Sequence, residues 1–431
     1  MSLDESLKDG TAVFGVVGLG YVGLPLAVEM AKAGHKVIGV DVSAQRVEQL
    51  NRGENYISDV DAHELAGLVG KGLISATVDF SAMASCDAIA ICVPTPLDEM
   101  KQPDTSYMES AARSIAPHLK AGALVTLEST TYPGTTEEVI LPILEGGGRK
   151  VGVDLFLAFS PERVDPGNPT YQTQNTPKVV GGVTKECTRL AVAMYGRFIG
   201  TLVPVSSTRA AEMTKLLENT FRGVNIALVN ELLLLCNRMG INFWEVIDAA
   251  KTKPFGFMPF YPGPGLGGHC IPIDPLYLSW KARQYDFRTE FIDLSGRINE
   301  SMPYYVIERL MEALNRQRKS LNGSRVLVLG VAYKADISDM RESPAIIVVE
   351  LLRQKGAEVV YHDPHVLEFC PGGDRVERVE LTAEEVSSAD VVLLITAHAG
   401  VDYDLVRREA SLVLDTRNAL KVPEDPKVVL L

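Results

Sequence analysis

The chain has 431 residues, of which 46% are hydrophobic and 23% charged, so it can form two or three globular domains with large cores. Its formal net charge of -13 argues against a nucleic-acid backbone as a partner, because such binding requires a basic face. Residues Met1 to Gly10 are polar without an apolar signal core, and no apolar run is long enough to span a bilayer. We therefore expect a cytoplasmic protein with no membrane partner.

The cysteines form neither a CxxC pair nor another spacing that is typical of metal ligands. They are Cys86, Cys92, Cys187, Cys236, Cys270 and Cys370. We expect free thiols and no metal site.

A dinucleotide-binding pattern stands near the start of the chain. A buried strand is predicted over Ala12 to Val17, and the glycine-rich turn Gly18-Leu-Gly20-Tyr21-Val22-Gly23 leads from it into a predicted helix, Leu24 to Ala33. Glycines permit a tight turn and close approach of a pyrophosphate, and the helix N-terminus favours an anion. The strand, turn and helix occur in the order that the fingerprint requires.

The next predicted strand, Lys36 to Val40, ends in Asp41, which lies 18 residues after Gly23. An acid at this spacing binds the ribose of the cofactor and favours NAD over NADP. Arg46 either lines the adenosine side of the site or is a solvated helix charge.

Three further strands are each followed by polar turn residues. They are predicted over Ala88 to Val93, Ala123 to Glu128 and Asp154 to Phe159, and the segments that follow them are Pro94-Thr95-Pro96, Ser129-Thr130-Thr131 through Thr136, and Ser160-Pro161-Glu162-Arg163. In a parallel sheet these segments meet at the carboxyl edge, where ligands bind. Ordinary turn chemistry is the alternative, and the hydroxyls could equally cap a helix that begins near Glu137.

A long helix is predicted from Thr208 to about Met239. Within it, Glu212, Lys215, Asn219 and Arg222 follow spacings of three and four, so they share one stripe. The stripe is either a solvated charged face or a row that points into a cleft, where an ammonium and an amide could stabilise an oxyanion.

The segment Gly263 to Asp274 sets Cys270 in a glycine-rich turn, with a carboxylate at Asp274 four residues later. Glycines let backbone amides approach a substrate closely, which suits a catalytic thiol. The alternative is a small buried cysteine beside a loop.

The last third repeats the strand–helix–strand outline. Strands are predicted over Arg325 to Leu329, Glu358 to Tyr361 and Val391 to Ile395, with a helix over Pro344 to Gln354. A second dinucleotide fingerprint is missing. The turn after the first of these strands carries Lys334 and, further on, Arg341. These positive charges suit a diphosphate that is bound by side chains.

The predicted fold class is α/β, with two Rossmann-like doubly wound parallel-sheet domains joined by a long central helix or helical domain. The predicted domains are an NAD-binding domain over residues 1–205, a central helical domain with the cysteine loop over 206–315, and a C-terminal Rossmann-like domain over 316–431.

These motifs together resemble the UDP-glucose/UDP-mannuronate dehydrogenase family, and the likeness covers nearly the whole chain. It rests on Gly18 to Gly23, Val93 to Pro96, Glu128 to Thr130, Ser160 to Arg163, Glu212 to Lys215 with Asn219, Asn230-Glu231, Gly267 to Cys270, Tyr333-Lys334, and Asp339 to Pro344. The segments Ser160 to Asn168 and Tyr261 to Pro275 look most like the branch that oxidises UDP-N-acetylglucosamine. UDP-N-acetylmannosamine is the closest competing substrate, and UDP-glucose is a further alternative.

The resemblance implies a four-electron oxidation of the sugar C6 alcohol with NAD. Cys270 would form a thiohemiacetal and then a thioester, which water releases as the uronate. Lys215, Asn219 and Asp274 are matched to positions that stabilise the oxyanion and manage protons, and Thr130 and Glu162 to positions that handle the water.

The same resemblance assigns binding residues. Those expected to bind the cofactor are Gly18, Gly20, Tyr21, Val22, Gly23, Asp41, Arg46, Pro94, Thr95, Thr130 and Arg341. Those expected to bind the UDP-sugar are Glu162, Arg163, Lys215, Asn219, Tyr261, Gly267 and Lys334. The family also implies a homodimer through the long helix and a role in surface polysaccharide synthesis.

Two other functions are compatible with parts of the sequence. A single-step hydroxyacid dehydrogenase shares the first domain and a catalytic lysine but has no need of Cys270 or a second Rossmann-like domain. A non-catalytic nucleotide-sugar-binding protein would keep the fold without the chemistry.

Overall fold

The computed structural model describes residues 3–57, 60–98, 100–165, 168, 170–268, 271–421 and 425–431. These residues form two compact units. The first contains the chain up to Glu218 together with Leu276–Asp286, and the second contains Asn219–Pro275 together with Phe287–Leu431.

The α-helices are numbered in chain order. They are α1 Leu3–Lys8, α2 Gly23–Lys32, α3 Ala44–Asn51, α4 Ala62–Gly70, α5 Ser106–Ile115, α6 Leu141–Leu144, α7 Lys185–Tyr195, α8 Thr208–Met239, α9 Phe243–Ala250, α10 Asp274–Ala282, α11 Glu290–Arg316, α12 Pro344–Gln354, α13 Ala383–Ser388 and α14 Tyr403–Glu409. Short 3₁₀ turns cover Phe80–Ser85, Ala116–His118, Arg283–Tyr285 and Pro371–Gly373, and a π-helical turn over Thr136–Ile140 runs into α6.

The first unit contains an eight-stranded sheet in the order β3-β2-β1-β4-β5-β6-β7-β8. Its strands are β1 Val13–Val17, β2 Lys36–Val40, β3 Ile74–Thr77, β4 Ala88–Ile91, β5 Leu124–Leu127, β6 Phe156–Phe159, β7 Lys178–Gly182 and β8 Leu202–Pro204. Every pair is parallel except β6 and β7. Strands β4 and β5 are buried throughout, as expected for a sheet with helices on both faces.

The second unit contains a six-stranded parallel sheet in the order β11-β10-β9-β12-β13-β14. Its strands are β9 Arg325–Leu329, β10 Glu358–His362, β11 Glu377–Arg378, β12 Val391–Leu394, β13 Val413–Asp415 and β14 Val428–Leu430. The strand order reverses beside β9, as it does beside β1 in the first sheet, and the carboxyl edge at that point is where doubly wound sheets bind ligands. The predicted fold class is confirmed.

The two sheets repeat one local device. Asp87 Oδ2 accepts the Val13 N–H at 2.9 Å at the start of β1, and Asp390 Oδ2 accepts the Arg325 N–H at 2.8 Å at the start of β9. Lys120 pairs with Asp87, and Lys319 pairs with Asp390. In each unit the aspartate thus joins the residue before one strand to the first residue of the neighbouring strand.

Helix α8 begins and ends at the predicted residues. Helix α11 runs for 27 residues through an internal Pro303 and was not predicted. None of the described helices combines the length and the apolar character that a bilayer crossing requires. The division into three domains at 205/206 and 315/316 stays a prediction.

Candidate active site

The glycine turn of the first unit has the geometry that a pyrophosphate needs. Gly18 has a φ of 91°, and a Cβ there would lie 2.5 Å from the Cys92 carbonyl oxygen. A Cβ at Gly23 would overlap the Gly18 carbonyl oxygen, whereas one at Gly20 would meet no atom within 4 Å. Val22 precedes α2 and offers no side-chain cap to the helix N-terminus. The turn is therefore tight where it folds back and open where an anion would approach.

Asp41 lies at the end of β2 beside this turn. Its carboxylate accepts the Leu19 N–H and the Ser43 N–H, each at 2.9 Å. The Arg46 guanidinium lies 3.6 Å from the same carboxylate and is half exposed, so both alternatives for Arg46 stay open. The geometry of the turn and of this carboxylate is compatible with the pyrophosphate and ribose of NAD, and their contact with the cofactor stays a prediction.

Tyr56 was missed by sequence reasoning. Its hydroxyl donates to the Leu19 carbonyl at 3.0 Å, and burial together with the charge of Asp41 raises its pKa to about 12. No local signal distinguishes this tyrosine from others, because its contact lies 37 residues away in the chain.

The loops after β4 and β5 are locked together. The Ser129 hydroxyl accepts the Val93 N–H at 3.0 Å and donates to the Val93 carbonyl at 2.7 Å. The Tyr277 hydroxyl donates to the Thr95 carbonyl at 2.6 Å. These bonds fix the backbone of Pro94 and Thr95 and of the neighbouring half-buried Thr130, which were predicted to contact the cofactor.

The remaining hydroxyls of the loop after β5 are used internally. The buried Glu212 carboxylate of α8 accepts the N–H groups of Gly134 at 2.6 Å and Thr136 at 2.9 Å, and it also accepts the Thr136 hydroxyl. The Thr131 hydroxyl donates to that of Thr135 at 2.5 Å. The hydroxyls of Thr131, Thr135 and Thr136 therefore bond within the protein, which agrees with the alternative of ordinary turn chemistry.

Glu162, at the end of β6, faces a buried charge cluster. Lys178 Nζ lies 3.8 Å from one Glu162 carboxylate oxygen and 2.7 Å from Glu128, while the Tyr195 hydroxyl donates to Glu128 at 2.5 Å. Burial and the Glu128 charge raise the pKa of Tyr195 well above its ordinary value, so the phenol stays protonated. Burial favours the neutral amine of Lys178, but the two carboxylates outweigh it and raise the Lys178 pKa.

Arg163 has a structural partner. Its guanidinium makes an ion pair with Glu218 at 2.6 Å and donates to the Pro177 carbonyl at 2.6 Å. A substrate that binds Arg163, as predicted, would therefore compete with Glu218 and the Pro177 carbonyl for the guanidinium.

The stripe on α8 is not a solvated charged face. Glu212, Lys215 and Asn219 are all buried, and only Arg222 is exposed. Lys215 and Asn219 are therefore not part of a solvated face, and their role in stabilising an oxyanion stays a prediction.

In the second unit, Asn219 Nδ2 donates to Asp274 Oδ2 at 2.5 Å. Asp274 is the first residue of α10 and is buried. Cys270, which precedes it by four residues, lies outside the described residues, as does His269.

The glycine-rich turn before Cys270 is held by a buried amide pair and by an aromatic side chain. Asn230 accepts the Gly263 N–H at 3.0 Å and donates to Asn299 at 3.0 Å. A Cβ at Gly267 would lie 2.7 Å from Tyr333, so this turn packs closely on the residue next to Lys334. Glycine is thus required at Gly267 for close packing.

Three further residues that were predicted to bind ligands lie after β9 or before the glycine-rich turn; they are Lys334, Arg341 and Tyr261. Arg341 is exposed and makes an ion pair with Asp339 at 2.6 Å, and Lys334 is half-buried. Tyr261 stacks on Trp244 with ring centroids 6.1 Å apart. All of these residues belong to the second unit.

The second sheet also has an acid that corresponds to Asp41. Asp363 follows β10 and accepts the Val331 N–H at 2.7 Å, but a buried histidine, His398, also donates to it from Nε2 at 3.0 Å. Burial opposes ionisation, yet the bonds from His398 and the backbone N–H groups of Val331 and His365 outweigh it and hold the Asp363 pKa well below its usual range. Both carboxylate oxygens of Asp363 are thus engaged within the second unit.

One group of metal-ligating side chains occurs among the described residues, Asp336, His365 and His398. His398 Nδ1 accepts the Asp336 N–H at 2.9 Å and Nε2 donates to Asp363, so both ring nitrogens are engaged. A metal ion at His398 would have to break one of these bonds.

Comparison with known proteins finds family models that match three successive parts of the chain. The models of the UDP-glucose/GDP-mannose dehydrogenase family match residues 12–199 as the NAD binding domain, 209–301 as the central domain and 327–422 as the UDP binding domain. A UDP-N-acetyl-D-glucosamine 6-dehydrogenase of Pseudomonas aeruginosa is 41% identical over 81% of this chain and 82% of its own.

Two further relatives carry other substrate names. An NDP-N-acetyl-D-galactosaminuronic acid dehydrogenase of Ralstonia nicotianae is 36% identical over 96% of this chain and 98% of its own. The structure of the UDP-D-ManNAc dehydrogenase of Pyrococcus horikoshii has a TM-score of 0.87 at 34% identity and covers 97% of this chain and 98% of its own.

Proposed function

The chain belongs to the UDP-glucose/GDP-mannose dehydrogenase family, and from this premise we propose that it oxidises the C6 hydroxyl of UDP-N-acetylglucosamine to a carboxylate. The family assigns the coarser activity, an NAD-dependent oxidation of a UDP-sugar, and NAD is the cofactor. The sugar and the covalent mechanism are the proposal.

Cys270 is the proposed nucleophile. Its thiolate adds to the C6 aldehyde, which forms a carbon–sulfur bond and a thiohemiacetal, and the second oxidation leaves a thioester. Each of the two oxidations would transfer one hydride to a separate NAD+, so two NAD+ would be consumed for each sugar. Water then adds to the thioester carbon, the carbon–sulfur bond breaks, and Cys270 leaves as the thiolate.

Lys215, Asn219 and Asp274 are the proposed oxyanion and proton-transfer residues. The observation that carries this assignment is the buried hydrogen bond from Asn219 to Asp274, because it orients a carboxylate that follows Cys270 by four residues. Thr130 and Glu162 are proposed to position the water, and Lys334 to bind the diphosphate.

The choice of N-acetylglucosamine rests on the similarity to the Pseudomonas aeruginosa relative and on the segments Ser160 to Asn168 and Tyr261 to Pro275. Relatives named for the N-acetylmannosamine and N-acetylgalactosaminuronic acid reactions are 36% identical. UDP-N-acetylmannosamine and UDP-N-acetylgalactosamine are therefore alternatives for the same active site, and UDP-glucose is a third. By analogy we also propose a role in cytoplasmic synthesis of surface polysaccharide precursors.

A homodimer is proposed through the part of α8 that lies in the second unit. Large apolar side chains recur there at spacings of three, four and seven and are exposed; they are Phe221, Leu228, Leu232, Leu235 and Met239. An apolar stripe of this kind on one helix is typical of a surface that a second copy covers.

The test of the substrate is a comparison of kcat/KM for UDP-N-acetylglucosamine, UDP-N-acetylmannosamine, UDP-N-acetylgalactosamine and UDP-glucose. We expect the first to exceed each of the others at least tenfold. A higher kcat/KM for another of the four sugars would reassign the substrate, and no turnover of any would favour a non-catalytic binding protein.

A further inference from the structure

The first unit contains a buried lysine that the proposed chemistry does not use. Lys178, the first residue of β7, is 5% exposed, and its side chain faces Glu128, which is fully buried, and Glu162, which is 14% exposed. A lysine at this depth is rare and requires paired charges. Strand β7 is the antiparallel neighbour of β6, whose end carries Glu162.

The partners of Lys178 hold its ammonium in place. Glu128 binds it at 2.7 Å with one oxygen and accepts the Tyr195 hydroxyl with the other. The ammonium also lies 5.1 Å from the centre of the Tyr195 ring. Both oxygens of Glu128 are thus engaged, one by the Lys178 ammonium and the other by the Tyr195 hydroxyl.

Glu162 is fixed by its own loop as well. Its Oε1 accepts the N–H groups of Arg163 and Val164, each at 2.8 Å, while Oε2 faces the Lys178 ammonium at 3.8 Å. The carboxylate therefore has one oxygen anchored to the backbone and the other directed by a buried charge. One ammonium thus pairs with two carboxylates, those of Glu128 and Glu162.

We propose that Lys178 is a positioning residue, which holds Glu162 as an oriented carboxylate for the release of the product by water. This inference rests on the proposed function. In that step the water oxygen bonds to the thioester carbon, the water proton passes to Glu162, and the carbon–sulfur bond breaks to free the Cys270 thiolate. Without the ammonium, the Glu162 carboxylate loses its orientation, and the release step slows while the oxidations continue.

The experiment is a rapid-mixing measurement of NADH formation combined with intact-protein mass spectrometry of the quenched enzyme. We expect Lys178→Met to retain the initial burst of NADH but to slow steady-state turnover about tenfold to a hundredfold, with uronyl thioester accumulating on the protein. Lys178→Arg should restore turnover to within a few-fold, because it keeps the charge. Glu162→Gln serves as the reference that accumulates the same species.

Lys281→Met is the matched control. Lys281 is also a buried lysine of the first unit, paired with Glu138 at 2.6 Å and lying 5.0 Å from the centre of the Tyr132 ring. Loss of this pair should lower the melting temperature without any accumulation of thioester. The control separates the loss of a buried ion pair from the loss of a positioned carboxylate.

The possible results separate the role of Lys178 from the proposed function. Thioester accumulation in Glu162→Gln but not in Lys178→Met, or equal accumulation in Lys281→Met, would overturn the role of Lys178 and leave the proposed function intact. Absence of any thioester in Glu162→Gln, with one NADH per sugar in the wild type, would overturn the proposed function itself. If Lys178→Met does not fold, Lys178→Gln replaces it under the same criteria.

Discussion

Asn219 and Asp274 are hydrogen-bonded at 2.5 Å although 55 residues separate them in the chain. The bond joins the buried face of α8 to the first residue of α10, immediately after the glycine-rich turn. Asn219 can donate only through its amide nitrogen, so this bond also directs its carbonyl oxygen. A carboxylate with an amide partner of this kind has one orientation, which a proton-transfer group needs.

Asp274→Asn should therefore lower kcat about a hundredfold to a thousandfold with little change in the melting temperature, because the asparagine keeps the volume but not the charge. Steady-state kinetics and thermal unfolding measure the two effects. Asp248→Asn, at an exposed position of α9 paired with Lys251, is the control and should leave kcat within twofold. A catalytic rate close to wild type in Asp274→Asn would remove this residue from the proton-transfer assignment.

Alkylation with iodoacetamide should inactivate the enzyme through Cys270. Burial raises the pKa of Cys86 to about 11 and that of Cys92 well above its ordinary value, so neither reacts readily. Cys370 is exposed and should also be labelled, but without loss of activity. In the variant Cys370→Ser, peptide mapping should therefore show inactivation proportional to labelling of Cys270. Inactivation in step with labelling of a different cysteine would contradict the assignment.

Asp41→Asn should raise the KM for NAD about tenfold and reduce the preference for NAD over NADP, because it removes the carboxylate that is proposed to accept the ribose hydroxyls. Tyr56→Phe is the control, since it removes the hydroxyl bonded to the Leu19 carbonyl and leaves the Asp41 carboxylate in place. We expect a change below twofold for the control. Initial-rate kinetics with both cofactors measure the effect, and unchanged kinetics in Asp41→Asn would place the ribose elsewhere.

Asp363 should make the stability of the protein sensitive to acid. Its folded-state pKa is lowered below the value of about 4 that an unfolded aspartate has, so the unfolded chain binds the proton first as the pH falls. The stability that this group contributes is complete above about pH 5 and is lost as the pH falls through the folded pKa. Asp363→Asn should cost about 2–3 kcal/mol at pH 7, and the cost should shrink below about pH 4.

Urea unfolding of wild type and Asp363→Asn at several pH values measures this dependence. Asp404→Asn, at an exposed position of α14, should cost nothing at any pH. A cost for Asp363→Asn that stays constant between pH 7 and pH 3 would show that the ionised form contributes no pH-linked stability.

Leu228→Glu combined with Leu235→Glu should convert a dimer into monomers, because two charges would have to be buried in an apolar interface. Leu367→Glu changes another exposed leucine of the second unit and should leave the assembly unchanged. Light scattering coupled to size-exclusion chromatography measures the mass. A monomeric wild type would contradict the dimer outright.

Much of the fold could be predicted because its patterns are local. Strand β2, helix α8 and helix α12 begin and end where the apolar periodicity and the flanking Gly and Pro residues place them. Helix α11 was missed because Pro303 interrupts its pattern, and β7 was missed because its polar first residue, Lys178, does not resemble a buried strand.

The candidate site was predicted as a set of residues but not as a set of contacts. Asn219 and Asp274 could both be chosen from their motifs, yet only the folded chain shows that they bond to each other. Lys178 could not be chosen at all, because its burial beside Glu128, which lies 50 residues earlier in the chain, is visible only in the folded protein. Pairings over such distances leave no periodic signal in a single sequence.

The thioester mechanism is best tested by the number of NADH molecules formed for each UDP-N-acetylglucosamine consumed, measured for wild type and for Cys270→Ser. We expect two NADH per sugar for the wild type and, for the variant, arrest after at most the first oxidation. One NADH per sugar in the wild type, or full turnover by Cys270→Ser, would contradict the thioester mechanism.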